Sequence, residues 1–241
     1  MPYTAWIDHF TAEKARREHR GDPDWQAGAK LPETVWRSLQ KFQVGEDGDG
    51  TNLIGKADLA GDPSYGAAVR MFVAEEQNHA RLLARLLAAD GRGTLGSHWS
   101  DAVFVRVRRL FGLRMELMVL MIAELVAVPY YRAVRDGSGD PLTGEVAGRI
   151  LADEQRHIPF HRDRLRDSVA ELPAAVRPAV LAGWRLLLLA AGVFVAVDHG
   201  PALHALRMPR TRFAVEVARS GGPVARDILA ATDGATATAT A

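Results

Sequence analysis

The sequence predicts an all-α protein in which four long helices surround a polar centre. Prolines, glycines and capping residues divide the chain into segments, and these segments carry apolar residues at spacings of three and four. Almost no stretch alternates in the way that a half-buried strand would. A chain of 241 residues, 48% of them hydrophobic, can build one substantial core.

The punctuation of the chain places the four central helices at about 32–60, 63–90, 100–135 and 141–169. The third is expected to kink near Gly112 or Pro129. An apolar helix at 180–197 and a shorter one at 211–219 follow, and the low-complexity tail at 230–241 is expected to be disordered. We interpret the apolar helix as buried rather than membrane-spanning, because it holds Arg185 and barely reaches the ~20 residues of a span.

The composition excludes several classes of protein. Lys plus Arg number 30 against 29 for Asp plus Glu, and these charges are interspersed, which argues against nucleic acid as a partner. The absence of cysteine excludes disulfides, thiolate metal sites and iron–sulfur clusters, so any metal must use histidine and carboxylate ligands. The first residues lack the apolar segment of a secretory signal, and a cytoplasmic location is expected.

Two helices carry the same polar pair on an otherwise apolar inward face. The second helix has Glu76 and His79 there, and the fourth has Glu154 and His157. Each pair follows an acid, in EEQNH at 75–79 and DEQRH at 153–157. One Glu-x-x-His pair can arise by chance, but two copies on two inward faces indicate that both pairs contribute to the same site.

The first and third helices each place one glutamate centrally on the inward face. Glu46 lies 30 residues before the first pair and Glu124 lies 30 residues before the second, so the two halves are spaced alike. Asp49 is a rival to Glu46 one turn further along the same face. Glu116 is a rival to Glu124 two turns earlier, and the matched spacing favours Glu124.

Electrostatics predicts what fills the centre. Four carboxylates facing a dry interior would each lose several kcal/mol of hydration and would repel one another. Two divalent cations neutralise them, and a neutral imidazole adds a ligand without charge. Glutamate at i and histidine at i+3 point to the same side of a helix, so one pair can serve one metal. We therefore expect two metals about 3.5 to 4 Å apart. Their expected ligands are Glu46, Glu76, His79, Glu124, Glu154 and His157.

This arrangement resembles the ferritin-like di-iron carboxylate superfamily, in which two helices give one glutamate each and two give Glu-x-x-His. The resemblance covers about 32–170. It implies a ferritin-like four-helix bundle with additional N-terminal and C-terminal helices, in a single domain over 1–229 with accessory helices at about 178–219. In that superfamily the acid before the ligand glutamate often accepts a hydrogen bond from a ligand histidine, so Glu75 and Asp153 are candidates for that role.

The resemblance also implies a function. It favours a non-haem di-iron oxidase or oxygenase that uses two Fe ions and O₂ to oxidise a small organic substrate. An external electron donor is expected to supply the electrons. Aldehyde-deformylating oxygenases are similar in length and ligand set. Ferroxidase or iron storage of the ferritin or bacterioferritin type and peroxide scavenging are alternatives, and Mn or a mixed Mn/Fe centre is compatible with the ligands. A homodimer is a compatible assembly.

Three further residues near the predicted centre stay open. Glu75 can replace Glu76 as the ligand of its pair, although the parallel with the second motif favours Glu76. His161 is either an additional ligand, a proton relay or, as we favour, a hydrogen-bonded core histidine. Tyr131 can donate a hydrogen bond or carry a radical, and plain packing is favoured.

Glycines crowd the first helix around Glu46, at positions 45, 48, 50 and 55. We expect them to let backbone or substrate approach Glu46 closely. Four helical glycines cost roughly 4 kcal/mol relative to alanine, so the helix is predicted to be distorted or frayed here when metal is absent. A calcium loop is disfavoured, because no glycine stands at its sixth position and no glutamate closes it.

Overall fold

The structure, a computed structural model, describes residues 2–96 and 112–238, with side chains as far as residue 230. Within those residues all regular structure is helical, and no strand occurs there, so the all-α prediction is confirmed. The helices are α1 (Tyr3–Arg20), α2 (Glu33–Glu46), α3 (Thr51–Leu59), α4 (Pro63–Ala89), α5 (Leu113–Gly137), α6 (Pro141–Ala170), α7 (Arg177–Asp198), α8 (Gly200–Ala205) and α9 (Arg210–Thr238). A 3-10 turn, Trp25–Ala27, follows α1.

The two helices with the Glu-x-x-His pairs begin where the sequence predicts. In α4 the carboxylate of Asp62 accepts a hydrogen bond from the Tyr65 backbone N–H at 3.0 Å. In α6 Asp140 accepts one from Thr143 N–H at 2.8 Å. A proline follows each capping acid at the first helical position, where its missing N–H costs nothing. These caps fix the register of the helices that carry both pairs.

The first predicted central helix is divided in two. Helix α2 ends at Glu46 and α3 begins at Thr51, so the predicted distortion is a complete break. Gly50 has φ +65°, and a Cβ there would collide with the side chain of Val73. Gly45, Gly48 and Gly55 have nothing within 4 Å of an added Cβ among the described residues, so the close approach of backbone that was expected there is absent from that part of the chain. The break between α2 and α3 therefore depends on Gly50, which adopts a positive φ and packs closely against Val73 of α4.

The third central helix begins at Leu113, directly after Gly112. The predicted start near residue 100 lies outside the described residues. Helix α5 continues through Pro129 to Gly137, so Gly112 marks the start of this helix and Pro129 does not end it. Helices α5 and α6 make the most extensive contact among the described elements.

The remaining contacts place α2, α4, α5 and α6 around a shared interior. Helix α4 contacts α1, α2, α3 and α6, while α9 packs against α5, α6 and α7. Fully buried aromatic side chains fill this interior, among them Trp36, Tyr65, Tyr130, Tyr131, Phe72 and Phe160. Burial of aromatic rings of this size contributes much of the free energy of folding.

The C-terminal helices differ from the prediction. Helix α7 was expected to be buried, but only 28% of its most apolar 18-residue stretch is buried. The expectation is therefore wrong for the outward face of this helix. By length and composition alone, α5 and α7 are each long and apolar enough to cross a membrane. In α5, however, 72% of the corresponding 18-residue stretch is buried within the protein, as in a core helix. Helix α9 is longer than the expected helix at 211–219 and continues to Thr238, through most of the tail that was expected to be disordered.

The break between α2 and α3 leads to a first prediction. Gly50→Ala should lower the free energy of unfolding of the metal-free protein by about 1–3 kcal/mol, because alanine is strained at positive φ and its Cβ would collide with Val73. Urea unfolding followed by circular dichroism measures the change. Gly48→Ala is the matched control, since nothing lies within 4 Å of its added Cβ. Equal stability of the two variants would refute this account of the break.

Candidate metal centre

The six predicted ligands converge in the interior, although they come from four helices. Helix α2 contributes Glu46 as its last residue, and α5 contributes Glu124. Helices α4 and α6 contribute the two Glu-x-x-His pairs. Both histidine side chains are fully buried, and the carboxylate side chains are 2% to 10% exposed, except that of Glu76, which is 22% exposed. Among the six side chains, that of Glu76 is therefore the most accessible to solvent.

Two overlapping groups of side chains could each hold a metal ion. The first group is Glu46, Glu76, His79 and Glu154, and the second is Glu76, Glu124, Glu154 and His157. Within each group, one ligand atom from every residue lies within 4.8 Å of the others. The groups share Glu76 and Glu154. The sequence predicted that each Glu-x-x-His pair serves one metal. The structure modifies this prediction, because the glutamate of each pair lies between the two candidate metal positions, whereas its histidine belongs to one of them.

The distances show how the shared carboxylates lie. Glu76 Oε1 is 3.5 Å from His79 Nδ1 and 3.2 Å from His157 Nδ1. Glu154 Oε1 is 3.3 Å from His79 Nδ1, and Glu154 Oε2 is 3.8 Å from His157 Nδ1. Glu124 Oε2 belongs to one side only, 3.4 Å from His157 Nδ1. Each position thus has one histidine and one glutamate of its own, and two glutamates in common.

The acids that precede the ligand glutamates orient the histidines across the centre. Asp153 Oδ2 lies 3.1 Å from His79 Nε2, and Glu75 Oε2 lies 3.0 Å from His157 Nε2. Each acid therefore contacts the histidine of the opposite motif. With Nε2–H donated outward, the lone pair of each Nδ1 points inward, as a metal ligand requires. Both buried Nδ1 atoms lack a hydrogen-bond partner among the described residues.

Helix α1 adds a cation that the sequence did not reveal. The Arg17 guanidinium contacts Glu75 and lies 3.7 Å from Asp153 Oδ1. Arg156 also pairs with Asp153. Burial alone would raise the pKa values of Glu75 and Asp153, but the histidine that each acid contacts, together with these cations, holds both pKa values below their usual range. No motif marks Arg17, because it is 58 residues from its partner Glu75.

The electrostatics of the centre favour retained protons when metal is absent. Burial and repulsion from Glu46 raise the pKa of Glu76 well above its usual value, and burial and Glu124 raise that of Glu154. Burial opposes a charge on His79, but the surrounding carboxylates outweigh it and raise its pKa. The pKa of His157 is raised for the same reason. Divalent ions would replace these protons as the neutralising charge.

Tyr131 does more than pack. Its hydroxyl donates a hydrogen bond of 2.7 Å to Glu46 Oε1, which fixes the carboxylate at the end of α2. The neighbouring Tyr130 hydroxyl lies 2.7 Å from Ser38 Oγ, and Ser38 Oγ lies 2.7 Å from His199 Nδ1. This buried network joins α2, α5 and the end of α7 beside the centre. Neither Ser38 nor His199 belongs to a motif that the sequence reveals, so their contact with Tyr130 could not be predicted.

His161 lies at the edge of the centre and belongs to neither ligand group. Its Nε2 is 3.4 Å from Glu124 Oε1, and burial with the neighbouring His157 lowers its pKa to about 3. Neither ring nitrogen has a hydrogen-bond partner among the described residues, so the favoured hydrogen-bonded core histidine is not what the structure places there. His161 is a neutral neighbour of Glu124.

The rival glutamate and aspartate lie elsewhere. Glu116 is buried but accepts from Lys56 Nζ at 2.7 Å and Asn52 Nδ2 at 2.8 Å, which ties α3 to α5. Asp49 is exposed and its carboxylate accepts from Thr51 N–H at 3.0 Å. Neither belongs to a ligand group, whereas Glu46 and Glu124 do.

The sequence matches no protein-family model and shows no significant similarity to a curated protein. The fold and the site therefore define the class of protein by themselves. This is a helical protein with a buried cluster of carboxylates and histidines that could bind metal.

The sharing of two carboxylates leads to a second prediction. Glu76→Ala should weaken both metal sites, whereas Glu46→Ala should weaken one and leave the other with its four ligand groups. Anaerobic calorimetric titration with Co(II) measures both affinities, with an expected loss of about 10- to 100-fold or more per affected site. Glu116→Ala is a control outside both groups. Loss of a single site in the Glu76 variant would contradict the shared arrangement.

The retained protons lead to a third prediction. The folded-state pKa values of His79 and His157 lie above 6.5, so the stability they contribute is lost as pH rises from 6.5 through those values. The raised pKa values of Glu76 and Glu154 act in the same direction. The melting temperature of the chelator-treated protein should fall by roughly 5 °C over this range.

Metal-loaded protein provides the control for this pH dependence. Metal binding displaces the same protons and strengthens as they leave, so the loaded protein should lose little or no stability over the same pH range. Differential scanning calorimetry compares the two forms. A metal-free protein whose stability rises with pH above 6.5 would show that the centre holds no extra protons.

Proposed function

We propose that this protein is a non-haem di-iron oxidase or oxygenase with a ferritin-like fold, and that it uses O₂ to oxidise a small organic substrate. The observation that carries the proposal is the pair of ligand groups that overlap at Glu76 and Glu154. Two metal positions that share carboxylates form a dinuclear centre, in which both ions can act on one bound molecule.

The donor set supports iron. Four carboxylates offset the charge of two divalent ions, and each histidine adds one neutral nitrogen ligand. Mn or a mixed Mn/Fe pair suits the same ligands. Bound as Fe(II), the two ions would supply the electrons with which O₂ is activated, and an external electron donor would reduce the ions again.

The protein's own groups hold this centre in place. Asp153 and Glu75 fix the two histidine rings, and Tyr131 fixes Glu46. The Phe72 ring meets the His157 ring edge-on, with their centroids 4.7 Å apart, and walls the centre with apolar surface. Such a wall excludes water, which strengthens the electrostatic interactions inside and protects reactive species.

Access to the centre supports reaction with small molecules. The Glu76 side chain is 22% exposed, against 2% for Glu154, so the shared carboxylate of α4 is the open edge. Val73, one turn earlier on α4, is covered by Gly50 at the break between α2 and α3. We propose that O₂ and substrate reach the centre from this side, beside the break.

The decisive experiment is anaerobic loading with Fe(II), followed by exposure to O₂. We expect about two Fe(II) per chain to bind and to be oxidised with O₂ uptake. Further turnover should then require both an external reductant and a suitable organic substrate, with product detected by mass spectrometry. Glu154→Ala, which removes a shared ligand, should abolish the rapid O₂ uptake.

Iron handling gives the opposite result in the same experiment. Continued oxidation of Fe(II) far beyond two ions per chain, with a ferric mineral retained in a large assembly, would replace the oxygenase proposal with storage. Rapid reaction with peroxide but not with O₂ would indicate a peroxide-scavenging protein instead.

A further inference from the structure

The outward face of α7 is apolar and exposed. Leu186, Leu187, Val193 and Val197 have exposed fractions of 68%, 57%, 47% and 63%. Together they form a contiguous apolar patch along one helix, of a kind that usually marks an interaction site in a soluble protein. None of these four residues belongs to either ligand group, so the role of the patch does not depend on the proposed function.

A seven-residue spacing runs along the exposed face of α7 and joins the patch to two small residues. Gly183, Ala190 and Val197 stand at intervals of seven, and all three are exposed. Leu187 and Val193 lie on either side of the same line along the helix. This is the spacing of a seam that packs against another helix. The opposite face of α7 is already used, because Trp184 and Leu188 are buried against the protein and Trp184 Nε1 donates to Met118 O at 2.9 Å.

The spacing is also symmetric about Ala190. Gly183 and Val197 each lie seven residues from it, and Leu187 and Val193 each lie three residues from it. An antiparallel pair of identical helices crossing at Ala190 would therefore place Gly183 against Val197 and Leu187 against Val193, twice. Self-complementarity of this kind is what a two-fold symmetric interface requires. The small side chain of Ala190 would let the helices approach closely at the axis.

We propose that α7 pairs with α7 of a second copy of this chain, antiparallel and with Ala190 at the two-fold axis, to form a homodimer. Two such helix faces bury roughly 1,000 Å² in total, which meets the minimum for a biological interface and lies in the class of small interfaces. A membrane-spanning role does not fit α7, because its other face is packed on α5 and α9, so lipid could meet only one stripe of the helix. Contact with a membrane surface is an outcome of the test below.

The oligomeric state tests the proposal directly. Sedimentation equilibrium of the full chain should give twice the 26.2 kDa chain mass, and Leu187→Glu should give a monomer with an unchanged helical circular dichroism spectrum. Leu59→Glu is the matched control, since Leu59 on α3 is 88% exposed and should leave the dimer intact. A monomeric wild-type protein, or a Leu187→Glu protein that remains dimeric, would overturn the proposal.

The absence of cysteine permits a test of the axis itself. Ala190→Cys should form an intermolecular disulfide under mild oxidation, because two copies of the residue would face each other. Leu189→Cys lies about 100° around the same helix and should cross-link far less. Equal cross-linking of the two variants would refute an axis at Ala190. Co-sedimentation of the wild-type protein with phosphatidylcholine or phosphatidylglycerol vesicles would replace the dimer with a membrane contact.

Discussion

Buried negative charge is the constraint on which this structure depends. Glu46, Glu76, Glu124 and Glu154 meet in an interior that is otherwise filled with aromatic and aliphatic side chains. Such a cluster is stable only when its charge is neutralised, because each desolvated carboxylate costs several kcal/mol. Protons on the glutamates and histidines can do this in the metal-free protein, and divalent ions can do it more completely. Protonation and metal binding are therefore alternative solutions to one electrostatic problem.

The rest of the chain positions these groups rather than adding to them. Helices α4 and α6 orient each other's histidine through Asp153 and Glu75, so their relative placement is linked to the geometry of the ligands. Helix α1 supplies Arg17 to balance both acids. Helix α2 ends at Glu46, where Tyr131 holds the carboxylate. The ligand positions thus depend on contacts between helices that are far apart in sequence.

The sequence predicted the parts of the fold that depend on apolar periodicity and on helix-capping and helix-breaking residues. The caps before Pro63 and Pro141 and the repeated Glu-x-x-His spacing predicted the helices that carry the pairs and the residues that meet in the interior. Tertiary contacts decided the rest. The sharing of Glu76 and Glu154, the contribution of Arg17 and the exposure of α7 depend on how helices pack, and periodicity marks an apolar face without saying what covers it.

The central claim is that two metal ions neutralise the four carboxylates. The most direct measurement is a crystal structure of the protein loaded anaerobically with Fe(II), with anomalous diffraction recorded on both sides of the iron absorption edge. Our account predicts two peaks about 3.5 to 4 Å apart, each next to one histidine Nδ1, with Glu76 and Glu154 reaching both. A single peak, peaks outside this cluster, or an interior without metal under saturating Fe(II) would contradict it.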